Sequence, residues 1–307
     1  MENAEKFMPY QAEVDIEELS SQSEGYWKTS VRILLGNKAG MAALILLLTV
    51  MAMCIFGEYL RPFGVQEQNT ALKNQSPSSV YWFGTDQLGR DLFVRVCHGG
   101  RISLEIGLIA AVTVSLIGVV YGSVSGYLGG RTDLVMMRVV EVFKGVPHLV
   151  IVILLSILLD VQGILPLLIA LTISGWVNTA QIIRGQVKQI KNREFVLAAR
   201  CLGIPAWKII LKHMIPNMAG MIIVTITLDI PAFIFEEAFL SFIGLGLKNP
   251  AISWGILISL GQVNLIHEPY QAAFPAIAIS VTMIAFNILG NALKDAFDPK
   301  MRRQVAA

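Results

Sequence analysis

Long apolar stretches separated by polar connections dominate the pattern along this chain. A helix needs roughly 20 apolar residues to cross a bilayer core about 30 Å thick, because unpaired backbone groups are not tolerated there. Five stretches are long and nearly free of charge: 39–57, 106–130, 164–183, 214–228 and 271–293. A sixth, 146–159, becomes long enough if its helix begins near Leu134. Glu141 and Lys144 would then lie in its inner turns, three residues apart, where they can pair. We predict six transmembrane helices.

The composition requires lipid as the solvent for most of the chain. Hydrophobic residues make up 54% of it and charged residues 15%, with a mean hydropathy of +0.62, whereas soluble domains carry about a quarter charged residues. Disordered, collagen-like and disulfide-stapled classes are excluded. The net charge of +2 gives no reason to expect a nucleic-acid partner. The three cysteines are scattered without metal-ligand spacing, so no metal site is predicted.

Lysine and arginine asymmetry orients the six helices. With both termini inside, 18 of these residues fall on the cytoplasmic side and 6 outside, which the positive-inside rule favours. The first 38 residues are rich in Glu and Asp, unlike the basic start of a signal peptide. The predicted segments are a cytoplasmic tail ending in an interfacial amphipathic stretch (1–38), the first transmembrane helix (39–60), an external loop (61–101), a five-helix core (102–293) containing a cytoplasmic loop (184–213), and a cytoplasmic C-terminal tail (294–307).

The loop at 184–213 is long for a helix connection, and long connections are usually functional. Residues 194–202 form a good helix, and Gly203 followed by Pro205 is typical of a helix stop and a helix start. A second short helix at 205–214 follows. Two interpretations remain open: an amphipathic hairpin resting on lipid headgroups, or a docking element for another protein.

Residues of this loop carry a resemblance. Ala198-Ala199-x3-Gly203, followed by Ile215-Pro216, resembles the Glu-Ala-Ala loop of ABC importer permeases, which inserts into a groove of the cytoplasmic ATPase. Leu197 stands at the position of the family's glutamate, and His213 and Ile215 replace its Ile and Leu. The resemblance implies that seven residues couple this chain to an ATPase: Glu194, Ala198, Ala199, Arg200, Gly203, Pro205 and Pro216.

Further stretches resemble the C-type permease of oligopeptide and dipeptide importers. They are GTDQLGRD at 84–91, SGYLGG at 125–130, EAFLSFIGLG at 237–246, SWG at 253–255 and AFNILGNALKDAFDP at 285–299. The resemblance covers about residues 30–303 and implies an all-α, polytopic type I ABC importer permease in the cell (plasma or inner) membrane. It also implies a homologous second permease, two cytoplasmic ATPase subunits and an extracytoplasmic peptide-binding lipoprotein. Nickel permeases share much of the pattern, so nickel or another small solute is the alternative cargo.

No catalytic motif is present. The chain lacks GxxxxGK[ST], GxSxG and HExxH, so we predict a non-enzyme without a cofactor of its own, whose partner subunits bind ATP and Mg. His148, beside Pro147, is interpreted as a packing or interface histidine. An ion-coupled secondary transporter is an alternative class, but it would leave the 184–213 loop without a purpose. A membrane-embedded hydrolase is disfavoured because no nucleophile–base set is found.

Ionisable groups within a span are candidate functional residues. Asp229 lies about 21 Å along the fifth helix from Pro216 at 1.5 Å per residue, and Glu236 and Glu237 follow at its outer end. We expect this helix to break near Pro231 or to end around Phe235. Asp229 and either Glu236 or Glu237 are hypothesised to face the translocation path and to favour a peptide amino terminus. The alternative is that they pair within the bundle or lie at the outer interface.

The outer loop supplies the last candidates. Asp86, Arg90 and Asp91 are proposed to receive the external binding protein. Their alternative role is a local turn with an Arg–Asp ion pair, which contributes little stability by itself.

Overall fold

The computed structural model describes residues 26–160, 163–248 and 250–298. Its α-helices are, in chain order, α1 (Tyr26–Gly36), α2 (Lys38–Phe56), α3 (Leu92–Leu128), α4 (Gly130–Lys144), α5 (His148–Leu158), α6 (Ile164–Ile190), α7 (Glu194–Cys201), α8 (Ala206–Ile209), α9 (Ile215–Phe242), α10 (Trp254–Gly261) and α11 (Tyr270–Phe297). A π-helical turn at Ile210–Met214 joins α8 to α9. Most of the predicted N-terminal tail, and the end of the C-terminal tail, lie outside the described residues.

Five continuous helical stretches in the described part of the chain are long and apolar enough to cross a membrane: Lys38–Leu60, Leu92–Leu128, Ile164–Ile190, Ala206–Phe242 and Tyr270–Phe297. Helices α4 and α5 together qualify as a sixth span, but they are bent by 76° relative to each other. The predicted third span is therefore divided into two helices rather than formed by one. Gly145 and Pro147 occupy the break, where proline cannot continue a helix and disfavours helical geometry in the residue before it.

The ion pair that the spacing of Glu141 and Lys144 permits is not formed. Glu141 binds Arg138 at 2.6 Å rather than Lys144. The Lys144 ammonium donates instead to Gln181 Oε1 of α6, at 2.5 Å. The two residues therefore face different neighbours, although their spacing permits a pair.

Several span boundaries differ from those predicted. The fourth span continues to Ile190 rather than ending at 183. Helix α3 begins at Leu92 rather than at 102, because the Asp91 side chain accepts a hydrogen bond from the Val94 N–H and caps it there. The fifth span runs without interruption from Ala206 to Phe242, with Pro231 inside it. The break expected near Pro231, and the end expected at Phe235, are therefore wrong.

The centre of the bundle is a close contact between α3 and α6. Gly118, Gly122 and Gly126 recur every fourth residue on one face of α3. A Cβ atom at Gly118 would lie 2.6 Å from Cβ of Thr179, and one at Gly126 would lie 2.9 Å from the Arg184 carbonyl oxygen. Small residues at this spacing let membrane helices approach closely and gain van der Waals contact.

Helices α1 and α2 pack against the last helix, α11. The Trp27 and Phe297 rings meet edge to face, with their centroids 5.7 Å apart. Helix α1 corresponds to the predicted amphipathic stretch, and it leaves Trp27, Val31 and Leu35 exposed. Apolar side chains exposed beside a first span fit a helix that lies at the membrane interface.

The glycine contact generates the first prediction. In Gly122→Leu, the new side chain collides with the Ala180 carbonyl oxygen of α6, so we expect the free energy of unfolding to fall by about 3 kcal/mol. Titration of the purified protein with sodium dodecyl sulfate measures it. Val120→Leu, on the exposed side of the same helix turn, is the control and should unfold like the wild type. Equal stability of both variants would contradict the close packing.

Candidate functional site

The connection between α7 and α8 is a tight turn closed by backbone hydrogen bonds. The Ile204 N–H donates to the Ala199 carbonyl at 3.1 Å, and the Leu202 N–H donates to the Ala198 carbonyl at 3.0 Å. Gly203 adopts φ +72°, the left-handed conformation that glycine accepts without strain. The predicted sequence of helix, sharp turn and second helix is confirmed, except that the second helix continues into the fifth span. Residues 194–212 are called the coupling turn below.

The inner face of the coupling turn is buried against the bundle. Val196 and Ala199 are buried in one apolar cluster with Ile183 of α6 and Ile209 of α8. Arg200 lies over the Tyr127 ring at the end of α3, 4.8 Å from its centroid. The turn is thereby fixed to the spans on its inner side.

The outer face of the coupling turn is apolar and uncovered in this chain. Leu202 is 79% exposed and Trp207 is 59% exposed. Five large apolar side chains are exposed on this segment: Phe195, Leu197, Leu202, Trp207 and Leu211. Glu194, Pro205 and Pro216 are also exposed. Large apolar side chains exposed together on one short segment are typical of a surface that docks another protein or a membrane.

An ion-pair network at the same end of the bundle was not predicted. Asp133, at the start of α4, accepts hydrogen bonds from Arg184 and from Lys188 of α6, the latter at 2.6 Å. Its Oδ1 also accepts one from the Ser125 hydroxyl of α3 at 2.6 Å. The network joins α3, α4 and α6. The only indication of this network in the sequence is Asp133 itself, a carboxylate that follows the glycine pair at the end of α3.

A cleft of about 500 Å³ opens between the α4–α5 break, α6 and α9. Asp229 and Glu236 of α9 both line it. His148 lines it too: its Nδ1 lies 2.7 Å from Ser174 Oγ and its Nε2 lies 3.1 Å from Glu236 Oε2. The contacts of His148 with α6 and α9 agree with the packing or interface role that the sequence suggested.

Asp229 has spare hydrogen-bonding capacity. Among the described residues its Oδ2 is buried without a hydrogen-bond partner, and Thr179 of α6 adjoins its carboxyl group. The carboxyl groups of Asp229 and Glu236 also interact electrostatically. A buried carboxylate oxygen without a partner is costly, so this site suits a ligand or water that donates hydrogen bonds.

Glu237 does not line the cleft. It is fully buried, and its carboxylate accepts hydrogen bonds from the hydroxyls of Ser103 of α3 at 3.0 Å and Ser241 at 2.8 Å. Ser253, which caps α10, also bonds to it. The hypothesis that Glu237 faces the translocation path is therefore replaced by a packing role that joins α3, α9 and α10.

The outer-loop candidates are largely buried as well. Asp86 Oδ1 accepts from the backbone N–H groups of Leu88 and Arg90, and its Oδ2 binds Arg90 Nε at 2.7 Å. The Asp86 and Arg90 side chains are only 12% and 11% exposed. Buried Arg95 adds an ion pair to Asp86 at 3.6 Å.

Asp91 is buried as the cap of α3. Its burial raises the pKa of its carboxyl group, and the hydrogen bond from the Val94 N–H and the charge of Arg61 oppose that rise. The structural role named as the alternative for Asp86, Arg90 and Asp91 therefore replaces the docking role.

Comparisons with known proteins agree with this architecture. The family model described as a binding-protein-dependent transport system inner membrane component matches residues 118–303. The model for the N-terminal TM domain of oligopeptide transport permease C matches residues 25–77.

Curated relatives cover nearly the whole chain. The dipeptide transport system permease protein DppC of Bacillus subtilis is 48% identical over 92% of this chain and 88% of that protein. The oligopeptide transport system permease protein OppC of Bacillus subtilis is 45% identical over 94% of both chains. The OppC protein of Haemophilus influenzae is 40% identical over 94% of this chain and 93% of its own length.

Adjacent glutamates with opposite environments give the second prediction. Glu237→Ala leaves buried serine hydroxyls without their acceptor and opens a void, so the free energy of unfolding should fall by about 2–4 kcal/mol. Glu236→Ala, on the half-buried cleft wall, should lower it by less than about 1 kcal/mol. Detergent-induced unfolding of the two purified variants measures the difference. Equal losses would contradict the assignment of the two residues to different faces.

Proposed function

This chain belongs to the family of binding-protein-dependent transport system inner membrane components, and on that premise we propose that it forms half of the translocation path of a peptide importer driven by ATP. Its relatives named above are permeases for dipeptides and oligopeptides, which is why we propose peptides rather than nickel as cargo. The single observation that carries the proposal is the continuous helix that joins the coupling turn to the polar cleft.

The coupling turn is the proposed ATPase contact. Its outer face presents exposed Leu202 and Trp207, while its inner face is locked to α6 through Val196 and Ala199. A partner ATPase that covers the apolar face gains hydrophobic stabilisation of roughly 25 cal/mol per Å² buried. Because the inner face is packed against α6, a force applied to this turn displaces the turn and α6 together.

The fifth span then carries the displacement to the cleft. Ala206–Phe242 is 37 residues of continuous helix, about 55 Å at 1.5 Å per residue. Asp229 and Glu236 project from its outer half into the cleft. A shift of the turn therefore changes the position of both carboxylates relative to α6, which is the change an alternating-access step requires.

The remaining parts of the proposed importer are separate chains. A homologous second permease would complete the path, two cytoplasmic ATPase subunits would bind ATP and Mg, and an external peptide-binding lipoprotein would deliver cargo. Both termini and the coupling turn would lie in the cytoplasm, which the lysine and arginine asymmetry favours. An ion-coupled secondary transporter is disfavoured because members of this family are described as dependent on a binding protein.

The turn supplies the third prediction. Nothing lies within 4 Å of a Cβ atom added at Gly203, and its φ is +72°, so Gly203→Val acts through backbone strain of about 1–2 kcal/mol. That strain changes the equilibrium constant between the intact and the rearranged turn by about five- to thirtyfold, in favour of the rearranged turn. We expect peptide uptake by reconstituted vesicles to fall by a similar factor while ATP hydrolysis continues.

Two variants control this experiment. Gly203→Asn should retain uptake, because asparagine tolerates the left-handed conformation better than other residues. Gly185→Val, at a helical glycine of α6 that also has no neighbour within 4 Å, should behave like the wild type. Normal uptake by Gly203→Val, or equal loss in all three variants, would contradict the coupling role.

The cleft supplies the fourth prediction. Asp229→Asn keeps the side-chain shape but removes the charge, so peptide uptake should fall about tenfold, the loss of one charge-assisted hydrogen bond of about 1.5 kcal/mol. Thr227→Ala, whose site faces Gly290 of α11, is the control and should transport normally. If Asp229→Asn changed neither uptake nor assembly, the proposal that Asp229 lines the translocation path would be contradicted.

A further inference from the structure

We infer that Asp133 is a positioning residue for transport, because it makes α4 move together with α3 and α6 when the coupling turn is displaced. The inference rests on the proposed function and adds a second route from the coupling turn to the cleft, beside the one through α9. Phe143 and Lys144, the last two residues of α4, line the cleft. Asp133 lies near the other end of the same helix.

The Asp133 carboxylate is bound from two neighbouring helices at once. Arg184 of α6 donates to both of its oxygens, with Nη2 lying 2.7 Å from Oδ2. Lys188, one turn further along α6, donates to Oδ2 at 2.6 Å. The Ser125 hydroxyl of α3 donates to Oδ1 at 2.6 Å. Charge-assisted hydrogen bonds are stronger than neutral ones, and a bidentate pair adds geometric specificity. This one carboxylate therefore fixes the start of α4 relative to both α3 and α6.

Helix α4 has little apolar packing to replace that contact. Of its fifteen residues, all of which the structure describes, only Asp133, Met137 and Val140 are buried. The junction with α3 consists of Gly129 and Gly130, and a Cβ atom at Gly130 would meet nothing within 4 Å. The start of α4 is therefore held by the ionic contact rather than by packed side chains.

The coupling turn is bound to the same end of α3. Arg200 donates to the Tyr127 hydroxyl at 3.3 Å, and its guanidinium lies over the ring of that residue. Tyr127 is two residues beyond Ser125, which binds Asp133. At the end of α6, Lys191 donates to the Gly126 carbonyl at 3.3 Å. A displacement of the coupling turn therefore reaches Asp133 through both α3 and α6, and Asp133 transmits it to α4.

The first test measures trialanine uptake per ATP hydrolysed, in vesicles that contain the complete importer. Asp133→Asn keeps the shape of the side chain but removes its charge, so we expect uptake to fall about tenfold while ATP hydrolysis continues. Lys188→Gln removes one donor and leaves both bonds from Arg184, so we expect a smaller loss, about threefold. Asp133→Glu retains the carboxylate and should retain most of the uptake.

Arg138→Gln is the matched control. It breaks an ion pair of the same helix, between Arg138 and Glu141, whose side chains are 72% and 58% exposed. That pair joins α4 to neither α3 nor α6, so the variant should take up trialanine like the wild type.

The second test measures whether α4 follows α6. Spin labels are attached at Val142→Cys of α4 and Ile182→Cys of α6, two exposed positions. Cys201→Ser removes the exposed native thiol and leaves Cys54 and Cys97, which are buried. We expect one label distance in the nucleotide-free importer and the same distance with ATP and vanadate. In Asp133→Asn the distance should change when ATP and vanadate are added, because α4 no longer follows α6.

Several outcomes would overturn the positioning role. These are unchanged uptake per ATP in Asp133→Asn, a loss in Arg138→Gln equal to that in Asp133→Asn, or a label distance in Asp133→Asn that is broadened equally in both states. The last result is what a purely structural contact predicts. If Asp133→Asn fails to assemble, Lys188→Gln decides, and normal uptake per ATP in that variant would overturn the proposal.

The wild type separates this inference from the proposed function. Absence of trialanine uptake by the wild-type complex would count against the importer function, while the label distances would still test whether Asp133 holds α4 to α6. Normal uptake by the wild type and by Asp133→Asn alike would leave the importer function standing and remove the positioning role.

Discussion

A charged side chain in the hydrocarbon region must be paired inside the bundle or must face water, and this constraint arranges the polar residues of the chain. Glu236 and Glu237 are neighbours in sequence but about 100° apart around an α-helix. Glu236 opens onto the cleft beside His148, whereas Glu237 is enclosed by hydroxyl donors. Asp133 is paired inside the bundle, with Arg184 and Lys188. The cleft is where the chain leaves charges open to water.

Features that depend on a local run of residues were predictable. Apolar stretches of about 20 residues located the spans, and Gly203 with Pro205 located the turn, because both signals act within a few turns of helix. The start of α3 was not predictable in this way. Its first turns carry Arg95 and His98, which hydropathy excludes from a span, yet Arg95 is buried against Asp86 and the Asp91 side chain caps the helix. Those contacts come from tertiary structure.

Two prolines show why helix breaks escaped prediction. Pro231 is buried inside α9 and the helix continues through it, whereas Pro147 is exposed and lies where the chain bends by 76°. Neighbouring helices on all sides hold Pro231 in line. Pro147 has Gly145 just before it and an open cleft beside it, so nothing restores the helical course. Whether proline interrupts a helix therefore depends on the tertiary packing around it. That packing cannot be predicted from a single sequence.

The junction between the coupling turn and α9 explains how one helix serves both ends. Ile210–Met214 forms a π-helical turn there, a geometry that is frequent at functional sites. The Asn217 side chain donates to the His213 carbonyl at 2.6 Å, which occupies an acceptor that a wide turn leaves weakly bonded. His213 is a point of departure from the family pattern, and so is Leu197, which adds apolar surface where a glutamate is expected. The outer face of the turn is therefore more apolar than the family pattern predicts, and the junction joins the turn to α9 without interruption. Since Asp229 and Glu236 belong to that same helix, a rigid displacement of the turn would also move both carboxylates.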